Sequence, residues 1–294
     1  MNLLKNWTLP IAMLIGSLGY KVMGYLSFIT PYLIFTMLLL TFSKISLRDL
    51  RPRLSHLYLL CIEIVGAIAI YYILAPFDPI VAQGIMICII CPTATAAAVV
   101  TGKLGGNVAS ITTYTLLCNI AVAFVIPALF PIIAPSANHT SFWAAFSHIM
   151  GRIFPLLICP FLIAQLIRLI SPKINSKLTT ISGLAFYMWA IALTIAMGMT
   201  VRSLIEEPTD ITTLIYLSLG SLIACLFQFF TGKAIGKSTN DTIACGQSLG
   251  QKNTILAIWI CAAYLNPVTA LAPGLYVIWQ NIFNSTQLYL ARKK

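Results

Sequence analysis

Residues 245 to 258 read Cys245-Gly-Gln-Ser-Leu-Gly-Gln-Lys-Asn-Thr-Ile-Leu-Ala-Ile258, and the fold follows from how this stretch is understood. Its ends suit a membrane and its middle does not. Two glycines, two glutamines, Lys252 and Asn253 fall within eight positions, and Ile255, Leu256, Ile258 and Trp259 follow. A regular helix crossing lipid here would bury Lys252 at a cost of about 3 kcal/mol or more. Irregular backbone is tolerated at membrane depth only where protein or a water-filled cavity surrounds it. The stretch therefore predicts a broken helix facing a protein interior, the place where a substrate or ion site is expected in a polytopic membrane protein.

The rest of the chain agrees with a membrane setting. The 294 residues are 59% hydrophobic and 9% charged, against about 25% charged in soluble domains. This excludes a sizeable soluble domain. The net charge of +11 does not mark a nucleic-acid binder, because the cations sit in short gaps between apolar runs and so orient the chain in the bilayer. The eight cysteines lie almost entirely in apolar runs and read as small membrane-helix residues. Cys88 and Cys91 are spaced C-x-x-C, but with no second pair or nearby histidine the spacing carries no metal or redox chemistry. The apolar start of the chain lacks an evident cleavage site and reads as a first membrane helix, not a signal peptide.

Spans of about 20 apolar residues are predicted at roughly 7–23, 26–43, 55–75, 80–101, 107–133, 141–170, 179–201, 211–231, 240–264 and 267–290. Placing the N-terminus in the cytoplasm puts Lys5, Lys44, Arg48, Arg51, Arg53, Lys103, Arg168, Lys173, Lys177, Lys233, Lys237, Arg292, Lys293 and Lys294 inside. Only Lys21 and Arg202 remain outside, with Asp78, Glu206, Glu207 and Asp210. This asymmetry predicts ten spans with both termini cytoplasmic, in the inner (plasma) membrane. Ten spans divide into two fives, residues 1–134 and 135–294, and an odd-numbered repeat must insert its second copy inverted. The broken stretch is span nine, the fourth of its half. Span four is broken too, at Cys91-Pro-Thr-Ala-Thr-Ala-Ala-Ala-Val-Val-Thr-Gly-Lys103, where Pro92 removes a backbone donor. Paired interruptions in corresponding segments point to a transporter's binding site.

Four motifs, in order, resemble the bile acid:sodium symporter superfamily of secondary transporters: Cys-Pro-x-x-Thr-Ala at 91–96, Gly-Asn-Val-Ala at 106–109, Gly-x-x-Asn at 250–253, and Pro-Gly followed by Trp-x-Asn at 273–281. The resemblance implies an all-α integral membrane protein of ten helices in two inverted five-helix repeats. It also implies a core domain of spans three to five and eight to ten, a panel domain of spans one, two, six and seven, and crossing of spans four and nine at their breaks. Substrates in the family are small organic anions, bile salts or carboxylates, usually carried with sodium by alternating access. On that pattern Thr93, Thr95, Ala97, Asn253 and Asn281 are the candidate substrate-facing residues.

This sequence departs from the pattern at the sodium ligands. The resemblance places a Ser-Asn pair where Ala97 and Ala98 stand, a glutamate where Ser248 stands, and glutamines at Lys252 and Glu63; Gln251 adjoins Lys252, and Thr115 on span five is the oxygen ligand that can still be placed. Lys252 opposite Glu63 suggests a built-in cation in place of sodium, with transport by facilitated diffusion, exchange or proton coupling. Alternatives are a fixed salt bridge with no part in the cycle, an ordinary sodium-coupled symporter, and, in another class, a channel or membrane sensor. A channel would show a polar ring and a sensor a soluble domain, and the sequence shows neither. No nucleophile–base pair or histidine–carboxylate cluster supports an enzyme, and no cofactor is implied. Arg152 reads as a snorkelling cation, His139 and His148 as solvated, and Trp143 and Tyr276 as interfacial or packing aromatics. Gln83 and Gln280 read as possible cavity-lining residues.

Overall fold

A computed structural model describes residues 2–134 and 141–292. His139, the division between halves at 135, and Lys293 and Lys294 lie outside the described residues. Within them the regular elements are helices, joined by a single antiparallel bridge between Thr93 and Lys252. In order they are α1 (Asn2–Leu18), α2 (Tyr20–Leu26), α3 (Thr30–Phe42), α4 (Leu54–Leu74), α5 (Pro79–Ile90), α6 (Ala97–Lys103), α7 (Val108–Ile133), α8 (Phe142–Ile170), α9 (Pro172–Thr180), α10 (Leu184–Glu206), α11 (Ile211–Ser238), α12 (Thr242–Gly250), α13 (Thr254–Tyr264) and α14 (Leu271–Arg292). Short 3-10 turns at Ser27–Ile29, Leu47–Asp49, Ile181–Gly183 and Pro267–Ala270 complete the chain.

Among the described residues six helical stretches are long and apolar enough to cross a membrane: Tyr20–Phe42, Leu54–Leu74, Val108–Ile133, Phe142–Ile170, Leu184–Glu206 and Ile211–Ser238. The protein is thus an all-α integral membrane protein. Their outward faces carry large apolar side chains such as Tyr72, Leu166, Ile191 and Phe230, all more than half exposed, as lipid-facing surfaces require.

The two apolar helices that are too short to cross, α5 and α13, are the interesting ones. α5 has twelve residues, about 18 Å of helix, and every residue from Val81 to Ile90 is buried. α12 is buried from Ala244 to Gly250 and α13 from Thr254 to Ile258. These helices are sheathed by protein on all sides, which is why their breaks survive at membrane depth. The breaks lie at Cys91–Ala96 and Gln251–Asn253. The sequence reading missed α9, a nine-residue helix in the connection between α8 and α10 that carries Lys173 and Lys177.

Side chains cap the helices that start at the edges of the molecule. Asp78 Oδ1 accepts from Ile80 N at 2.8 Å and Val81 N at 3.1 Å, with Pro79 at the first helical position. Asn107 Oδ1 accepts from Ser110 N at 3.0 Å, and Asp210 Oδ2 from Thr212 N at 3.1 Å. Asp78 also accepts from Thr213 Oγ1 at 2.8 Å, fastening the start of α5 to that of α11.

The most extensive helix pairing joins α11 to α12. Gly232 and Gly236, one helical turn apart, lie against the α12 backbone: a Cβ on Gly232 would sit 2.9 Å from Gly246 Cα, and one on Gly236 2.6 Å from Thr242 Cα. Small residues at this spacing let two backbones meet without lipid between them. Elsewhere α1, α2 and α3 pack along α10, and α3 along α8. Gly232→Leu should force α11 from α12 and destabilise the protein by about 1–3 kcal/mol. Thermal unfolding in detergent should show a lowered midpoint, and an unchanged midpoint would contradict the close approach.

Candidate functional site

The site begins with a shortage. Each broken helix ends with carbonyls that have no partner four residues on, and each unmet one in an apolar interior costs several kcal/mol. The two breaks first satisfy one another. Ala94 N donates to Gln251 O at 2.8 Å and Asn253 N to Pro92 O at 2.8 Å, forming the antiparallel bridge centred on Thr93 and Lys252. Thr93 Oγ1 donates to Ser248 O at 2.7 Å, and the Cys91 thiol to Asn253 O at 3.2 Å.

Side chains from α11 and α14 meet the remaining needs. Gln228 Nε2 donates to Cys88 O at 3.1 Å. Tyr276 Oη donates to Gly250 O at 2.9 Å. Gln280 holds both backbone groups of Lys252, accepting from its N–H at 2.9 Å and donating to its carbonyl at 3.3 Å. Gln280 is therefore a clasp and not a cavity-lining residue. Gln83 likewise donates to Ile133 O at 3.1 Å, tying α5 to the end of α7. Tyr276 is fully buried packing that also makes a hydrogen bond.

Into this crossover the structure puts one ion pair. Lys252 Nζ lies 2.9 Å from Glu63 Oε1, and both side chains are essentially inaccessible, at 1% and 0%. The approach satisfies an ion pair but lies off the hydrogen-bond direction, and among the described residues no other acceptor reaches the ammonium. Glu63 is better provided: Tyr114 Oη donates to Oε2 and the Cys118 thiol to Oε1 at 3.1 Å. The C-terminal ends of α5 and α12 also converge here, each with roughly half a negative charge, so the bridge favours a cation at Lys252.

The other predicted positions divide into two groups. Thr95 and Asn253 are half-buried and sit on the two breaks. Asn253 Oδ1 caps α13 by accepting from Leu256 N at 3.3 Å. Thr93 is spent on the crossover, as described. Ala97, with Ala98 beside it, packs in a small apolar cluster against Ile111 and Ala244. Ser248 and Gln251 are buried; the Ser248 and Gln251 carbonyls serve the crossover, while Gln251 Oε1 lacks a partner. Thr115 Oγ1 donates to Ile111 O at 2.8 Å, and Asn281 Nδ2 to Val277 O at 2.6 Å, so both are engaged with their own helices. Arg152, His148 and Trp143 are exposed. No three His, Cys, Asp or Glu side chains are placed to hold a metal among the described residues.

Sequence reasoning passed over Tyr114, Cys118, Gln228, Ser110 and His56. Two spacings could have found all of these except Gln228. Ser110, Tyr114 and Cys118 follow one another at four-residue intervals on α7, and Arg53, His56 and Glu63 share a face at the start of α4.

Removing one partner of a buried pair strands the other charge, at about 3–5 kcal/mol. Lys252→Met should therefore lower the unfolding midpoint sharply, and Glu63→Gln in the same chain should recover most of that loss. A double variant no more stable than Lys252→Met would show that the two charges are not energetically coupled.

Two comparisons bear on this arrangement. The model of the SBF-like CPA transporter family (DUF4137) matches residues 53–292. No curated protein matches the chain.

Proposed function

The chain belongs to the SBF-like CPA transporter family, and on that premise we propose that it is a secondary transporter of small organic anions, of the bile-acid or carboxylate class, in which Lys252 replaces the coupling sodium. The family match makes it a membrane transporter. The anion class and sodium independence are our reading. The observation that carries this reading is the buried Lys252–Glu63 pair, 2.9 Å apart, at the crossing of two broken helices.

The arrangement fits ten spans in two inverted repeats, residues 1–134 and 135–294, with both termini in the cytoplasm of the inner membrane. On this division α4–α7 and α11–α14 form the core, and α1–α3, α8 and α10 the panel. α10 touches α13, α14 and the Pro267–Ala270 turn, and α3 touches α13. The substantial contacts of α6 and α12 are all with core helices. In the proposed orientation the panel closes the outer half of the crossover and leaves the cytoplasmic half open, an inward-facing state of an alternating-access cycle.

The substrate anion would meet the half-buried Thr95 and Asn253, which border the bridge. The start of α13 adds amide donors and the positive end of its dipole. Sodium needs several oxygen ligands, and an ammonium among them would repel it. Ala97 and Ala98 offer none from their side chains, and Thr115 is bonded to Ile111 O.

Sodium binding to the folded protein would raise its stability with the logarithm of occupancy. Titrating sodium against potassium and choline in thermal unfolding should give identical curves for all three. A saturable rise specific to sodium would restore the ordinary symport reading.

A further inference from the structure

The crossover carries a charge constraint. Glu63 and Lys252 are its buried charged side chains, and their charges cancel. An anion added to a cancelled pair leaves one uncompensated negative charge in a low-dielectric interior, which is strongly disfavoured. Neutralising Glu63 removes that obstacle, because it leaves the positive charge of Lys252 unbalanced, one residue from Asn253 and across the bridge from Thr93. The empty crossover, with Glu63 ionised, is then neutral. The loaded one, with Glu63 protonated, Lys252 charged and one monoanion bound, is also neutral.

The structure also supplies a route for the proton. Below Glu63 a polar stripe runs between α4 and α7 to the basic end of the molecule. Tyr114 donates to Glu63. The tilted rings of Tyr114 and His56 pack with their centroids 6.0 Å apart, and Ser110 lies one helical turn before Tyr114 on α7. His56 Nε2 and Ser110 Oγ are 2.9 Å apart, and both residues are buried. Arg53 N donates to His56 Nδ1 at 3.3 Å, so Nε2 carries the ring proton and points it at Ser110. Arg53, at the start of α4, reaches solvent and pairs at 3.3 Å with buried Asp241 at the start of α12. From Arg53 to Glu63 the path follows ten residues of α4, about 15 Å.

We propose that the protein moves a monoanion together with one proton, electroneutrally, with Glu63 as the proton's destination and His56, Ser110 and Tyr114 as its relay from the cytoplasmic side. The inference rests on the transporter reading above and names its coupling ion. In one transfer a proton from water binds His56 at Nδ1, displacing the Arg53 amide. Nε2 releases its proton to Ser110, Ser110 passes its own toward Tyr114, and Tyr114 gives its phenolic proton to Glu63 Oε2. Each relay oxygen ends with the proton count it began with, while the imidazole ends as the other tautomer, protonated at Nδ1; release of that proton and reprotonation of Nε2, or a ring flip, resets it for the next transfer. Around Glu63 the titratable neighbours are Tyr114 and Cys118 on α7, Lys252 at the break, Cys91 at the end of α5 and Tyr276 on α14. Around His56 they are Arg53, Asp241 and Tyr114.

Infrared difference spectroscopy of the full-length protein in lipid bilayers tests this without a substrate. A rapid drop in pH should raise the carbonyl stretch of a protonated carboxyl group, and Glu63→Gln should abolish that band. In His56→Gln, and separately in Ser110→Ala, the band should reach its full amplitude but rise roughly tenfold or more slowly. Retained amplitude shows that these variants fold. Absence of the band in the wild-type protein, or equally fast rise in both relay variants, overturns the inference. Its failure is distinct from failure of the sodium-independent reading, which only a sodium-specific stabilisation in the preceding titration would bring down.

Discussion

Everything at the centre of this protein follows from one constraint: a polypeptide that stops being helical inside a membrane must find new partners for its backbone. α5 and α12 both stop at the centre, and the chain answers with backbone and side chains together. The two breaks bridge each other, while Gln228, Tyr276 and Gln280 reach in from α11 and α14. These bonds leave the crossover little freedom of its own. Through it α5, α11, α12 and α14 are tied to one another.

The ion pair depends on that rigidity. Lys252 is held at its backbone by Gln280 before its side chain meets Glu63, and Glu63 is held by Tyr114 and Cys118. Removing two charges from water costs more than their attraction returns unless further hydrogen bonds support them. The carboxylate has such support and the ammonium does not. That asymmetry makes Lys252 the member whose charge is available to something else.

Much of this was legible in the sequence, and the limits have physical causes. A lysine, two glutamines and Pro92 inside apolar runs are costly unless the helices are broken, so both breaks could be placed to within a few residues. Lys252 and Glu63 could be set opposite one another because the resemblance to the bile acid:sodium symporter superfamily puts both at positions of one sodium site. Asn281 looked like a donor to substrate but bonds to its own helix at Val277, as polar side chains in apolar helices often do when no other partner is near. Gln83 and Gln280 looked like cavity residues because their partners are backbone groups, which every residue has and no sequence pattern marks. α9 was missed because nine residues with two lysines resemble a loop in hydropathy.

The Gln280 clasp makes the bridge more than a two-stranded contact. Its amide offers one donor and one acceptor in a plane, as a peptide group does, so Lys252 pairs with Thr93 on one side and with an imitation peptide on the other. The crossover is a three-stranded sheet one residue wide whose outer strand is a side chain. A glutamate there would lack the donor, and an asparagine would fall one methylene short. α14 therefore closes the edge that a lone β-bridge would otherwise leave open in the middle of a membrane.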